Sequence, residues 1–343
     1  MTLPLVLRTA NGRVSLRIDR RTLTVILLLA LVLAGSTLAS LSLGSQATTP
    51  TEVLEALLFP GRSDIALIVH EVRLPRVLLA ILVGACLGVA GLLLQGLVRN
   101  PLASPDVIGI TGGASLSAVC FLALGGAALG EGLLPLAALL GALLVAFGIL
   151  ALAGRGMPPT RLVLTGIGIA AALGAATTLV LVLSTDALAM QAYVWLTGSL
   201  YAAQWNEVLW LAPWALVGLP LALGLARRLD ALALGDDLAL GLGTSISVTR
   251  LSLLLLAVAL SGAAVAFAGG LSFIGLIAPH IARRLLARGH TALVPASALI
   301  GALILLYADL IGRLAFLPRD LPAGIFVAGI GAPFFIYLLY RWR

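Results

Sequence analysis

The chain has 343 residues, of which 61% are hydrophobic and only 10% charged, with a formal net charge of +7 and a mean hydropathy of +1.15. A soluble domain carries about 25% charged residues, so the composition excludes a soluble globular protein and points to a polytopic membrane protein. All 21 basic residues are arginine. A P-loop needs a lysine to reach the phosphates, so this chain is excluded as a P-loop ATPase, and a pump built on it takes its ATP hydrolysis from another subunit.

Residues 1–21 hold five arginines, and no small-residue cleavage site follows promptly. They read as an N-terminal tail, with 22–43 as a retained first span. The 24 residues from Pro75 to Val98 contain one strongly polar side chain, Gln95, and predict a spanning helix over 75–97. A corner follows, Asn100-Pro101-Leu102-Ala103-Ser104-Pro105. Its two prolines fix φ and stop the helix, giving either a rigid turn or a constriction at a pore mouth. Further apolar segments fall at 106–125, 132–153, 161–183, 208–226, 250–270, 272–284, 293–314 and 321–341. The stretch 187–200 reads as a short extra helix, and 272–284 is short enough to be a half-helix. The expected fold class is all-α, with ten transmembrane helices.

Numbering the loops alternately puts sixteen arginines on one side and five on the other: Arg62, Arg73, Arg76, Arg313 and Arg319. Basic loops stay cytoplasmic, so both termini are expected inside. Trp195, Trp205, Trp210 and Trp214 gather near the outer end of the sixth span, where an aromatic belt lies. Tyr337, Tyr340 and Trp342 mark the inner end of the last. Cys86 and Cys120 both sit in apolar segments and read as small packing residues rather than a disulfide. Glycine and alanine at four-residue spacing, such as Gly84 and Gly88 or Gly166, Ala170 and Gly174, let helices approach closely or leave room along a pore.

Arg73 and Arg76 flank Pro75 at the start of the second span, and Arg313 ends the ninth. They read either as snorkelling interface residues or as forks that receive a partner's carboxylates. Asp309 lies four residues before Arg313, which favours an internal ion pair. The loop 227–250 is the longest cytoplasmic loop after the tail. Asp236 and Asp237 follow Gly235, as acids favour a helix N-terminus, and Gly241 and Gly243 end that turn. One or two short helices on the inner face follow, either an amphipathic connector or a docking knob for a soluble subunit. Three histidines far apart in sequence give a metal site little support, and no nucleophile–base set is discernible.

Several motifs resemble the FecCD-type permeases, the membrane subunits of ABC importers for ferric siderophores, haem and vitamin B12. They are Arg73-Leu-Pro-Arg76, Gln95-Gly-Leu-Val-Arg-Asn-Pro-Leu102, Gly109-Ile-Thr-Gly-Gly-Ala114, Trp195-Leu-x-Gly198-Ser, Ser272-Phe-Ile-Gly-Leu-Ile-Ala-Pro-His-Ile-Ala-Arg283 and Asp309-x-x-x-Arg313. The resemblance runs from about residue 20 to the end. It implies the type II ABC importer permease fold over 22–343 as one transmembrane domain, in a multi-pass protein of the bacterial inner (plasma) membrane. It also implies a second permease, two ATP-binding subunits and a substrate-binding protein. This chain then binds no cofactor, ATP and Mg belong to the partner ATPase, no nucleic acid is involved, and the chain is no enzyme.

By motif, docking of the binding protein falls on Arg73, Arg76 and Arg313. Coupling to the ATPase falls on Leu234, Gly235, Asp236, Asp237, Ala239, Leu242 and Gly243, and the cytoplasmic gate on Asn100 and Leu102, with Thr160 added. Pro158-Pro159-Thr160 stands where the family has a polar stretch, a departure from the pattern at the second gate layer. Ser104-Pro105-Asp106-Val107 and the Gly235-Asp-Asp run look most like halves that handle ferric catecholates such as enterobactin beside a non-identical permease. Vitamin B12 or haem is the alternative cargo. An ion-coupled secondary transporter is a different class, and it lacks the mid-membrane titratable site such proteins use.

Overall fold

The computed structural model describes residues 5–8, 15–44, 48–59, 64–125, 130–154, 158–201, 203–316 and 319–341. Arg13, Arg62, Arg155, Trp342 and Arg343 of the topology reading lie outside them. The architecture is helical: α1 (Arg20–Ser42), α2 (Pro50–Leu58), α3 (Asp64–Leu67), α4 (Leu74–Val98), α5 (Ile110–Ala123), α6 (Leu134–Ala153) and α7 (Pro159–Leu183), then α8 (Asp186–Leu196), α9 (Trp205–Ala233), α10 (Asp236–Gly241), α11 (Ile246–Ala268), α12 (Ile274–Leu285), α13 (His290–Leu314) and α14 (Ala323–Arg341). A π-helical turn, Ile68–Arg73, joins α3 to α4. The N-terminal tail carries an antiparallel pair of strands, β1 (Leu5–Arg8) and β2 (Ser15–Ile18), with Leu5 opposite Ile18.

Among the described residues, seven helices are long and apolar enough to cross a bilayer, and α5 and α14 are shorter apolar helices. The half-helix α12 completes ten segments in the predicted order. Its 12 residues reach only about 18 Å at 1.5 Å per residue, short of the roughly 30 Å of hydrocarbon. The short extra helix foreseen near 187–200 is α8. The helix α9 extends past its apolar core 208–226 at both ends: Gln204 and Glu207 form a capping box at its start, and it runs on to Ala233.

The helix α4 is the axis of the bundle: 83% of its most apolar stretch is buried, against 11% for α1 and 17% for α7. It packs against α9, α11, α12 and α13. Pro75 sits in its first turn, where the missing N–H costs nothing. Small residues set its spacing from α13. A Cβ on Gly84 would fall on the backbone of Gly301, and one on Gly301 on the backbone of Gly84. Such closeness is how apolar helices associate where lipid removes the hydrophobic drive.

Ion pairs sort the loops into two ends. Arg76 joins Asp309 and Asp320 at one end. At the other, Arg99 joins Asp236, Arg288 joins Asp19 and His290 meets Asp230. This is the division that the alternating arginines predict.

Candidate functional site

At the Arg76 end, α4 and α13 bring their charged residues together. Asp309 is 1% exposed and stands 2.8 Å from Arg76 Nη2 and 3.2 Å from Arg313 Nε. The second contact is an ion pair but is not aligned as a hydrogen bond, for Arg313 Nε has no acceptor. Arg76 Nη1 also donates to Asp320 at 2.5 Å, and Arg313 Nη2 donates to Ser40 Oγ at 2.6 Å. Arg73 is buried and donates to the Leu41 carbonyl at 2.6 Å and to Thr48 Oγ1 at 2.9 Å. Arg73, Arg76 and Arg313 therefore do gather, but each guanidinium is engaged inside the chain rather than standing free at the surface. The pairing of Asp309 with Arg313 expected from their spacing is present.

At the opposite end the 227–250 loop forms a compact knob. Gly235 takes φ +114°, which lets α9 stop and α10 begin at Asp236. Asp236 Oδ1 accepts from Arg99 Nη2 at 2.5 Å and from Arg250 Nη2 at 2.9 Å. Partial burial works against the Asp236 charge, yet these two guanidiniums hold its carboxyl below the usual carboxylate range. Ala239 is buried under α10, whereas Leu234, Leu238, Leu240 and Leu242 are each about 60% exposed. Asp237 and Gly243 are exposed as well, with Gly243 at φ +77°. So Asp236, at the exposed edge of the knob, clamps Arg99 and Arg250, while Leu234, Leu238, Leu240 and Leu242 stand exposed.

That clamp touches the proline corner. Arg99 is the C-cap of α4, in the left-handed region at φ 55°, and Asn100 is its chain neighbour. Asn100 Oδ1 accepts from the Leu102 N–H at 2.9 Å, fixing the corner as an Asx-type turn. Leu102 packs on Leu276, Ile277 and Leu338, from α12 and α14. Asp106 anchors the other side. Its carboxylate accepts from Thr111 Oγ1 at 2.7 Å and from the Phe273 N–H at 3.2 Å. Phe273 itself is left-handed at φ 65° and opens the half-helix. Thr160 lies exposed in the first turn of α7, and among the described residues no hydrogen bond joins it to Asn100 or Leu102. The prolines before it, Pro158 and Pro159, border a cavity of about 550 Å³ with Asp236 and Arg250.

Sequence reasoning gave Arg250 and Gln95 no site role, and Asp106 only a part in the cargo reading. Gln95 did carry a signal, as the one strongly polar residue of its span. It is 3% exposed, gives its amide to the Gly275 carbonyl at 3.2 Å and takes Arg283 Nη1 at 2.9 Å.

The FecCD transport family matches residues 28–341. The achromobactin transport system permease protein CbrC of Dickeya dadantii is 49% identical, over 98% of this chain and 97% of its own length. The ferric enterobactin transport system permease protein FepG of Escherichia coli is 39% identical, over 94% of this chain and 98% of its own. A solved inward-facing transporter designated as of the metal-chelate ABC type is 28% identical, with a TM-score of 0.82 over 93% of this chain and 99% of that one.

Proposed function

From the premise that this chain belongs to the FecCD transport family, as a permease subunit of an ABC importer for iron chelates with the type II permease fold, we propose how it works. It is a multi-pass membrane subunit and not an enzyme. Residues 22–343 act as one transmembrane domain, beside a second, non-identical permease and above two ATP-binding subunits that hold ATP and Mg. The Arg99 end faces the cytoplasm, because the basic loops lie there.

The observation that carries the coupling role is the Asp236 clamp. Leu234, Leu238, Leu240 and Leu242 form an apolar ridge of the kind that seats in a groove of a partner, here the ATPase. Gly235 and Gly243 set its two ends and Ala239 its floor. When the ATPase moves the ridge, Asp236 carries the displacement to Arg99, and Arg99 is bonded in the chain to Asn100. The corner Asn100–Leu102, resting on α12 and α14, opens or shuts the inner mouth, with Thr160 on the facing helix.

Docking of the binding protein falls at the opposite end. Arg73, Arg76 and Arg313 already have internal partners, so an arriving carboxylate joins their network, and Arg76, 11% exposed, is a point of entry. Charge reversal at Arg73 and Arg76 should weaken capture of the binding protein by the membrane-inserted importer. Full capture with both reversed and normal permease abundance would remove the docking role.

The cargo is a ferric siderophore. The catecholate reading, enterobactin, rests on Ser104–Val107 and the Gly235-Asp-Asp run, while the achromobactin relative is the more similar of the two named. Uptake of radiolabelled iron as each chelate, by cells carrying only this importer, tests the cargo. Uptake of neither, with the assembled complex present, would overturn the siderophore role.

A further inference from the structure

A cavity of about 500 Å³ opens at the Arg99 end, among Gln95, Arg99, His280, Arg283, Arg284 and His290. Four helix ends meet there: the end of α4 at Val98, of α9 at Ala233 and of α12 at Leu285, and the start of α13 at His290. That places the cavity at the level where spanning helices leave the hydrocarbon.

Its charges do not balance. Arg99 is paired with Asp236, and His290 with Asp230. Among the described residues, no carboxylate stands within ion-pair distance of Arg283 or Arg284. Arg283 is largely buried, and both of its terminal nitrogens donate to one oxygen, Gln95 Oε1. Gln95 is held by the carbonyls of Gly275 and Leu276, so its oxygen is aimed at the guanidinium. A neutral amide orients a cation without neutralising it. The C-terminal dipoles of α4, α9 and α12 offer about half a negative charge each and the start of α13 about half a positive one, roughly one negative charge in all, still less than Arg283 and Arg284 supply together. A buried charge without a counter-ion is costly, and a fixed guanidinium beside an exposed one is the donor geometry that takes phosphate oxygens.

We propose that this cavity is a phosphate site, in which Arg283 and Arg284 grip the phosphate of an acidic phospholipid or a free phosphate ion. The depth of the site favours the lipid, since basic pockets between helices on the cytoplasmic side hold such headgroups. The inference is independent of cargo. It concerns the corner beside Asn100, where the bound anion sets the field around Arg99 and hence the strength of its pairing with Asp236.

Native mass spectrometry of the assembled importer tests this. One sample is reconstituted in phosphatidylcholine discs with added phosphatidylglycerol, another in phosphatidylcholine alone with inorganic phosphate. The wild type should retain phosphatidylglycerol about tenfold over phosphatidylcholine, the scale of one charge-assisted contact. Arg283→Gln with Arg284→Gln should abolish that preference. Arg284→Gln alone changes an exposed side chain and should reduce it in a folded protein. Phosphate adducts that displace the lipid and vanish in the double variant assign the site to free phosphate, with the same chemistry. Equal anion retention by wild type and both variants overturns the proposal, as does retention of neither anion by the wild type. Loss of the ATPase subunit from the variants with anion binding unchanged would also overturn it.

Discussion

Asp309 Oδ1 lies 2.8 Å from Arg76 Nη2 with only 1% of the aspartate side chain exposed. The pair ties the start of α4 to the end of α13 across the bundle. Removing one member of a buried pair leaves the other charge uncompensated and costs roughly 3–5 kcal/mol. Arg76 keeps Asp320 and Arg313 keeps Ser40 when Asp309 is lost, so Asp309→Ala should fall at the low end of that range. The measurement is thermal unfolding in detergent, with Asp320→Ala, whose side chain is 23% exposed, showing the smaller loss.

Asp236→Asn should separate transport from ATP hydrolysis. The substitution keeps the shape of α10 and leaves the exposed leucines for the ATPase, but removes the charge that draws Arg99 and Arg250 together. Uptake should drop by an order of magnitude or more while the ATPase still co-purifies and hydrolyses ATP. Unchanged uptake would show that the clamp transmits nothing.

The same carboxylate gives a pH expectation. Its folded pKa is depressed below the unfolded value of about 3.9. Its contribution is therefore fully present above that value and is lost as the pH falls through the lower, folded pKa. Between pH 5 and pH 8 the clamp should not titrate, and a mid-range pH dependence that disappears in Asp236→Asn would contradict this.

Gly84 and Gly301 predict a contrast between two glycines in the same bundle. Gly84→Ala drives a Cβ into the Gly301 backbone, whereas a Cβ on Gly35 of α1 meets nothing within 4 Å. Gly84→Ala should lower the folded yield and melting temperature, because neither backbone can yield without separating α4 from α13. Gly35→Ala should be neutral or slightly stabilising, by up to about 1 kcal/mol. Fluorescence-detected size exclusion with heating distinguishes the two.

Much of this was legible in the chain because the bilayer imposes simple demands. Apolar runs of the right length gave the spans, and alternating arginines gave the two ends. The half-helix showed itself by being too short. The sequence could place Arg73, Arg76 and Arg313 at one end and pair Arg313 with Asp309, but not show the rest of their internal engagement. That depends on Asp320, Ser40 and the Leu41 carbonyl, which come from other segments. Asp236 was legible as a helix start. Its partners were not, since Arg99 lies 137 residues away and nothing local specifies that contact. Nor does a local rule put a phenylalanine in the left-handed region, where non-glycine residues are rare.

That phenylalanine gives the last expectation. Phe273 holds φ 65° at the head of α12, a conformation costing of order 1–3 kcal/mol that persists only where the surroundings enforce it. Asp106 supplies part of the enforcement by accepting the Phe273 N–H, and Thr111 orients the carboxylate. Asp106→Ala leaves that N–H without its acceptor, and losing an acceptor for a buried donor costs about 1–3 kcal/mol. Asp106→Asn keeps an acceptor oxygen and should cost less. Because Asp106 continues the chain from the Asn100–Pro105 corner, loosening it should free the half-helix as well as destabilise the fold. A cysteine placed at Ser272 should then label faster in the Asp106→Ala background than in the Asn variant, below the melting temperature of either. Identical labelling in all three backgrounds would show that α12 is held by its apolar packing alone.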